Sequence, residues 1–282
     1  CVNIACGGGG EFRFYDCYND GSGLGGYRID GNISNTPLPV VDIVGGACYL
    51  DTTEDISLSD LTFARVQNIQ LGGNGTTALK LDNVSGGIVS GVRIGDKLGN
   101  GCQQHGIWVL DSDQVLIEGN YINNAGRGTD DTYSGIILDG DTNDCIVQGN
   151  SIHTDSAGNL PKYGIRVDDI TGNNNFIGQD NDVRTSAKTN GNEISDAGTG
   201  TRGHEIIPIN VSDETSVLTT GNAAAGTAKV TFRMRHAYCV TGVRASLTTA
   251  STVGTPTFDI NETTTGATPT WVSILGSKLT VD

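Results

Sequence analysis

The sequence is poor in positive charge, in proline and in long apolar runs, and these shortages exclude several classes of protein. Lys and Arg number 17 against 32 Asp and Glu among 282 residues, which gives a formal net charge of −15. Because phosphate binding needs a basic surface, we expect no nucleic-acid partner and no anionic membrane partner. No apolar run approaches the roughly 20 residues that span a bilayer, so we expect no membrane insertion.

Cysteine spacing argues against a zinc protein. The chain holds seven cysteines, and none of them forms a Cys-x-x-Cys pair. Cys1, Cys6 and Cys17 could form a local disulfide, whereas the alternative is a set of scattered, buried thiols. The chain begins Cys1-Val2-Asn3 without a secretory signal, so we expect it to be a trimmed piece of a longer protein.

Glycine is abundant, with 41 residues against 6 prolines, and Asn, Asp, Ser and Thr occur throughout the chain. Gly, Asn and Asp tolerate the positive φ angles that tight turns require. The composition is therefore typical of many short strands joined by turns.

Five segments share one pattern: a small residue, an apolar residue, a variable residue, an apolar residue and then, in most copies, Asp. They recur at roughly 28 to 31 residues and are Ala47–Asp51, Ala78–Asp82, Gly106–Leu110, Gly135–Asp139 and Gly164–Asp168. A second short segment follows each of them, for example Val115–Ile122. Several strands per repeat with no helix between them can build one coil of a solenoid. The repeat predicts an all-β fold, a right-handed parallel β-helix.

The alternation within these segments predicts which side chains fill each coil. Two inward stacks are expected: Cys48, Leu79, Ile107, Ile136 and Ile165, and, two residues further on, Leu50, Leu81, Val109, Leu138 and Val167. All ten are apolar, which favours this register over that of a β-sandwich. In the turns, Asn120, Asn150 and Asn181 are expected to form a ladder of amides.

The chain is expected to have three regions. Residues 1–200 form the β-helix with an irregular N-terminal entry, residues 201–226 a connector, and residues 227–282 a small β-sandwich-like module. In the module, short polar strands alternate with Thr, Gly and Pro turns. Since the sequence stops at Asp282, we expect this module to be incomplete.

The variable position of the repeat faces outward and predicts a row of side chains: Tyr49, Lys80, Trp108, Ile137 and Arg166. Sugar rings stack on aromatic faces, and Lys or Arg can donate hydrogen bonds to hydroxyls or carboxylates. Coils stack about 4.8 Å apart, which would place a cation on either side of Trp108. The row is our candidate glycan-binding face; the alternative is a solvated face with one incidental Trp.

Carboxylates also recur, because Asp51, Asp82, Asp139 and Asp168 share the position that ends the segment. Glycoside hydrolysis needs two carboxyl groups about 5 to 9 Å apart, a separation that neighbouring coils supply. In a lyase, Asp139 and Asp168 would hold Ca²⁺ and Arg166 would act as the base. The alternative is structural, since Asp ends strands by bonding nearby backbone amides. We expect no cofactor apart from this conditional Ca²⁺.

Other catalytic patterns are missing from the sequence. His105, His153, His204 and His236 are isolated, and there is no Ser-His-Asp order, His-Glu-x-x-His motif or phosphate loop. These absences leave Asp139, Asp168 and Arg166 as the catalytic candidates.

Two parts of the chain resemble known families. The phrases Gly-Ile-x-Leu-Asp and Val-x-Ile-x-Gly-Asn-x-Ile resemble the right-handed β-helix superfamily of pectate-lyase-like and phage tailspike proteins. The segments Thr227–Met234, Val240–Ala250, Thr257–Asn261 and Ser277–Asp282 resemble a β-module of phage tail-fibre and minor structural proteins. The Asp-Pro-His phrase of alginate epimerases and the Gly-His-Gly phrase of polygalacturonases are absent.

The resemblance implies three functions, since this fold hosts many activities. The first is a virion tail-fibre or tailspike component that adheres to host surface polysaccharide and is mainly structural. The second is a tailspike depolymerase, a glycoside hydrolase or polysaccharide lyase. The third is an extracellular polysaccharide lyase or epimerase. The resemblance also implies a place in the virion tail or outside the cell, other virion tail proteins as partners, and a homotrimer.

Overall fold

The computed structural model describes residues 2–5, 10–20, 26–31, 39–49, 53–72, 75–95, 101–154, 159–168, 174–185, 187, 194–198, 201, 257–258, 261–263, 271–273 and 279–280. The chain divides into two compact units, Cys1–Glu205 and Ile206–Asp282. The predicted boundaries at residues 200 and 226 stay predictions.

The described strands of the first unit form three sheets, which we call A, B and C. Sheet A contains β1 (Val2–Ala5), β4 (Tyr27–Asp30), β7 (Ile56–Leu61), β10 (Leu79–Val84), β13 (Ile107–Leu110), β16 (Ser134–Asp139), β19 (Tyr163–Val167) and β22 (Ile194–Asp196). Sheet B contains β2 (Glu11–Tyr15), β5 (Val40–Val44), β8 (Phe63–Gln67), β11 (Gly87–Ser90), β14 (Val115–Glu118), β17 (Ile146–Gln148) and β20 (Phe176–Ile177). Sheet C contains β3 (Tyr18–Asp20), β6 (Ala47–Tyr49), β9 (Gln70–Gly72), β12 (Arg93–Ile94), β15 (Tyr121–Asn123), β18 (Ser151–His153) and β21 (Asp182–Thr185).

The strands visit sheets A, B and C in turn, and each strand pairs in parallel with the strands one coil before and one coil after it. A chain that returns to the same sheet after passing through two others completes one coil of a solenoid. Crossovers between parallel strands are right-handed in nearly all proteins. The predicted all-β, right-handed parallel β-helix is therefore confirmed.

The inward stacks are confirmed from β10 onward. In the first stack, the four side chains pair in register and are 0% exposed: Leu79, Ile107, Ile136 and Ile165. The second stack is equally buried and consists of Leu81, Val109, Leu138 and Val167. Burying each such side chain fully contributes about 1.5–3 kcal/mol, so these stacks hold the coils together.

The register predicted for the first segment is wrong. Ala47–Tyr49 forms β6 and lies in sheet C, where Cys48 pairs with Leu71. Cys48 is buried, but it fills a different part of the interior from Leu79. Residues 50 and 51, which belong to the same predicted segment, lie outside the described residues.

The strand that precedes β10 in sheet A is β7, whose Ile56 pairs with Leu79. This coil is short: equivalent residues Gln67 and Ser90 are 23 apart in sequence, against 28 for equivalent positions of the next coil. A constant period therefore matches Ala47–Tyr49 and not β7, because alternation is common to strands of all three sheets.

The corner between sheets B and C carries the predicted amide ladder. Asn120 Nδ2 donates to Asn150 Oδ1, and Asn150 Nδ2 donates to Asn181 Oδ1, each over 2.9 Å. The same amides donate to backbone carbonyls of the preceding coil, including that of Ile117 at 3.0 Å. Since all three side chains are buried, these bonds satisfy groups that water does not reach. The ladder is confirmed.

In the second unit, the described residues form two antiparallel pairs. β23 (Thr257–Phe258) pairs with β26 (Leu279–Thr280), and β24 (Asn261–Thr263) pairs with β25 (Trp271–Ser273). The strands predicted at 227–234 and 240–250 lie outside the described residues, as does the connector except for residue 201. The sandwich-like module stays a prediction.

The described cysteines are thiols outside any disulfide. Cys48, Cys102 and Cys145 are buried, as one of the two alternatives predicted, whereas Cys17 is exposed. Burial raises the pKa of Cys102 and of Cys145 to about 12, so both remain protonated at neutral pH. Cys1 and Cys6, the other candidates for a local disulfide, lie outside the described residues. Nowhere in the part of the chain that the structure describes is there a helix long and apolar enough to cross a membrane.

Candidate functional site on sheet A

The outer face of sheet A brings four of the five predicted row residues together. Lys80 pairs with Trp108, Trp108 with Ile137, and Ile137 with Arg166, on four successive coils. Tyr49 is not part of this row, because it lies in sheet C opposite Gly72. Its predicted place beside Lys80 is taken by Ser57 of β7.

Trp108 is partly exposed and is held from three directions. The Lys80 ammonium lies 4.7 Å from the centroid of the indole ring, as in a cation–π contact. The indole Nε1 donates to Asp139 Oδ2 over 3.2 Å, and the His105 ring centroid is 5.5 Å away. Contacts from the preceding coil, the same coil and the next coil therefore fix one orientation of this ring.

Ile137 differs from the expectation for an outward residue, because it is only 3% exposed. In register it lies between Trp108 and Arg166, whose long side chains flank it on both sides. Ile137 therefore offers little surface of its own to a ligand.

The two cations of the row are paired along their own strands. Lys80 Nζ lies 2.8 Å from Asp82 Oδ2, and Arg166 Nη2 lies 2.6 Å from Asp168 Oδ1. Because ammonium and guanidinium groups carry three and five N–H donors, donors remain for a ligand while the charge is locally balanced. Donors without a net charge suit the neutral hydroxyl groups of a sugar.

The two candidate catalytic carboxylates stand one coil apart. Asp168 follows Val167, which pairs with Leu138. It therefore has the same position in the repeat as Asp139, one coil further along. Asp139 accepts from Trp108 Nε1 through Oδ2 and from the Gly140 amide through Oδ1, the latter over 2.9 Å. Its observed bonds are those of the structural alternative, in which Asp ends a strand.

In this structure, both carboxylates of the conditional Ca²⁺ site already have protein partners. Asp139 uses both oxygens for N–H donors, and Asp168 is paired with the Arg166 guanidinium. Ca²⁺ takes six to eight oxygen ligands, and no three His, Cys, Asp or Glu side chains of the described residues gather as a metal group. Ca²⁺ binding stays a prediction that only a Ca²⁺-dependent lyase requires.

His105, which looks isolated in the sequence, belongs to this face. Its Nδ1 accepts the backbone N–H of Ser134 on the next coil over 3.1 Å. Its ring also meets Tyr133 edge-on, with centroids 5.2 Å apart. Burial, and secondarily the Arg166 charge, lower the pKa of His105 to about 4, so the imidazole is neutral at neutral pH.

Tyr163 extends the face toward the next coil. Lys162 Nζ lies 5.4 Å and Arg166 Cζ 5.6 Å from its ring centroid. A sequence signal for Tyr163 exists, since it directly precedes Gly164 of the repeat and lies one residue outside the five-residue pattern.

A shallow, open groove lies at a different place, the corner between sheets B and C. It is lined by Gly91, Gly119 and Gly149, all at positive φ. Glu118 and Gln148 also line it, and their side chains are hydrogen-bonded over 3.2 Å. No predicted site residue lines this groove.

Comparisons with known proteins give one structural likeness. No family model matches the chain, and no curated protein matches it. Among solved structures, it is similar to the full-length tailspike protein 2 of Escherichia coli O157:H7 bacteriophage CAB120, at 12% sequence identity and a TM-score of 0.40. The likeness covers 63% of this chain and 28% of that one, so the chain spans little more than a quarter of that tailspike. The β-helix assignment rests on the parallel strand pairing of the chain itself.

Proposed function

We propose that this chain is a tail-fibre or tailspike component of a virion that binds a host surface polysaccharide through the outer face of sheet A. The resemblance of its repeat phrases and C-terminal segments to phage tail proteins supports the location. The binding role is mainly structural and adhesive.

The observation that carries the binding role is the fixed, partly exposed Trp108 ring with donors on either side. Lys80, Asp139 and His105 contact the indole from three directions. A ring held in this way loses little freedom when a sugar stacks on it, which lowers the entropic cost of binding. The charge-balanced Arg166–Asp168 pair two coils away can both donate to hydroxyls and accept from them.

The test is a panel of purified capsular polysaccharides and lipopolysaccharides incubated with the full chain. Binding is measured by isothermal titration calorimetry, and cleavage by new reducing ends and by the absorbance of unsaturated uronates. We expect at least one saturable ligand and no cleavage. A complete absence of binding across a panel that includes the surface polysaccharides of the natural host would contradict the proposal.

Cleavage by the same face is the second candidate function. The observation that favours it is the stacking of Asp139 and Asp168 on neighbouring coils, because coil spacing of about 4.8 Å is close to the separation of two carboxyls in retaining glycosidases. If the parent cleaves its ligand, Asp139→Asn and Asp168→Asn should each abolish cleavage and keep binding. Retained cleavage in both variants would remove these residues from the reaction.

The proposal includes a homotrimer, which follows from the resemblance to tail-fibre proteins. The open ends of a solenoid, with unpaired strand edges, also favour assembly. Sedimentation equilibrium should give three copies of the protein, and a monomer would contradict this part of the proposal.

A further inference from the structure

His105 connects the Trp108 ring to the next coil through one hydrogen bond. Its Nδ1 is the acceptor for the Ser134 N–H, a position where a neighbouring strand normally offers a carbonyl. The backbone carbonyl of His105 accepts from the Cys102 thiol over 3.1 Å and from the Ala78 amide over 3.1 Å. Both the ring and the backbone of His105 are therefore committed to neighbouring groups.

The Ser134 bond requires a lone pair on Nδ1, and so it requires the neutral imidazole with its proton on Nε2. A proton on Nδ1 would turn two donors toward each other. The charged groups that act on the ring are Arg166, whose guanidinium disfavours a second positive charge, and Asp168, which favours it more weakly. Tyr133 and Trp108 enclose the ring as aromatic neighbours, and the nearest charges on Trp108 are Lys80 and Asp139.

We propose that His105 is a positioning residue that holds Trp108 in its binding orientation only while the imidazole is neutral, so that acid loosens this face and releases a bound glycan. The release of glycan rests on the proposed function, whereas the change at Trp108 does not. Protonation of Nδ1 breaks the Ser134 bond that fixes the imidazole, and the indole then has one fixed neighbour fewer.

The first experiment follows Trp108 without any ligand. Because Trp271 also emits, it is done in a Trp271→Phe background, with acrylamide as the quencher, between pH 3 and pH 8. We expect Trp108 to become more accessible to acrylamide in one transition with its midpoint near pH 4, where burial has placed the pKa of His105. Circular dichroism over the same range shows whether the coil itself persists.

Three variants separate His105 from other acidic groups. His105→Asn keeps an acceptor near the place of Nδ1 but cannot be protonated, so the transition should disappear. Asp139→Asn removes the carboxylate that contacts the indole, and the transition should remain. His153→Asn on sheet C is the matched control and should behave as the parent. A transition that survives in His105→Asn, or that vanishes in Asp139→Asn alone, would overturn the proposal.

The second experiment uses the polysaccharide that binds in the panel. Its affinity for the parent should fall about tenfold between pH 6 and pH 3, and this fall should be absent in His105→Asn. His105→Phe, which has no acceptor, should bind more weakly at every pH, and His105→Asn should restore part of that loss. If no polysaccharide binds but the acrylamide transition follows His105, the proposed function fails and the positioning role stands. If a polysaccharide binds equally well at both pH values, acid release is wrong.

Discussion

The Trp108 cluster on sheet A and the Tyr121 cluster on sheet C are built from the same coil by the same means. In each cluster a cation from the preceding coil lies over the aromatic ring: Lys80 at 4.7 Å from Trp108 and Arg93 at 5.5 Å from Tyr121. In each, a histidine stands beside the ring, and the His153 centroid is 6.0 Å from that of Tyr121. Coil geometry alone therefore produces stacked cation–aromatic pairs.

The clusters differ in what the next coil supplies. Beyond Trp108 come the buried Ile137 and the Asp139 carboxylate that accepts from the indole. Beyond Tyr121 comes Ser151, whose hydroxyl is hydrogen-bonded to His153 Nε2 over 2.7 Å. Trp108 thus has an apolar register neighbour on the next coil and a hydrogen-bonded indole edge, which is why we place the glycan on sheet A.

The largest effect on stability is expected in the buried interior of the coils, because both clusters are built on it. Ile136→Asp places a carboxylate in a stack where the parent side chain is 0% exposed, at a cost of several kcal/mol. Urea unfolding followed by circular dichroism should show loss of stability or of folding. Ile146→Asp is the matched control, because Ile146 is 38% exposed and should change the free energy of unfolding little. Comparable stability of the two variants would contradict the register of the stack.

A smaller effect, confined to the sheet C side, is expected for Asn150→Ala. Its side chain donates to Ile117 and Asn181 and accepts from Asn120. Each buried partner left unsatisfied costs about 1–3 kcal/mol. Thermal unfolding should detect the loss, and the acrylamide accessibility of Trp108 should not change. Gln148→Ala, which removes a partly exposed amide from the same corner, is the control; equal loss in both variants would mean that the ladder adds no stability.

The sequence predicts the interior of this molecule better than its surface. Leu79, Ile107, Ile136 and Ile165 are predictable because one-coil spacing and inward direction leave only apolar choices. The position predicted for Tyr49 is wrong because a 23-residue coil breaks the constant period. No residue pattern within the segment marks that coil as short. Trp108 was found from its outward position, whereas His105 was not, since its role depends on a contact with Ser134 that lies 29 residues away.

The pH dependence of stability should carry the signature of His105. Its pKa is lowered from 6.5 to about 4 in the folded chain, so the unfolded chain binds the proton first as the pH falls. The stabilisation is therefore complete above about pH 6.5 and lost by about pH 4, with a size of up to about 3 kcal/mol. His105→Asn should remove this share of the pH dependence of urea unfolding, and His153→Asn should not. A parent-like pH profile in His105→Asn would contradict the assignment.

The smallest effect is expected at the corner that precedes Tyr121. Gly119 has a φ of 61°, and a Cβ added there meets no atom within 4 Å. Asn68 occupies the equivalent corner two coils earlier with a φ of 53°, and Asn tolerates this region of backbone. Gly119→Asn should therefore change the free energy of unfolding by less than about 0.5 kcal/mol. Gly119→Val, which is strained at this φ, should cost more, and equal stability of the two would argue against the corner geometry.

Glycan binding by Trp108→Ala and Tyr121→Ala, measured side by side by titration calorimetry, tests the central claim most directly. Both changes remove a partly exposed aromatic ring that a cation from the preceding coil covers, so general losses of surface are matched. We predict that Trp108→Ala weakens binding of the polysaccharide by about 1–3 kcal/mol, roughly 5- to 150-fold, and that Tyr121→Ala leaves it unchanged. Unchanged binding by Trp108→Ala, or an equal loss in Tyr121→Ala, would contradict the placement of the glycan on sheet A.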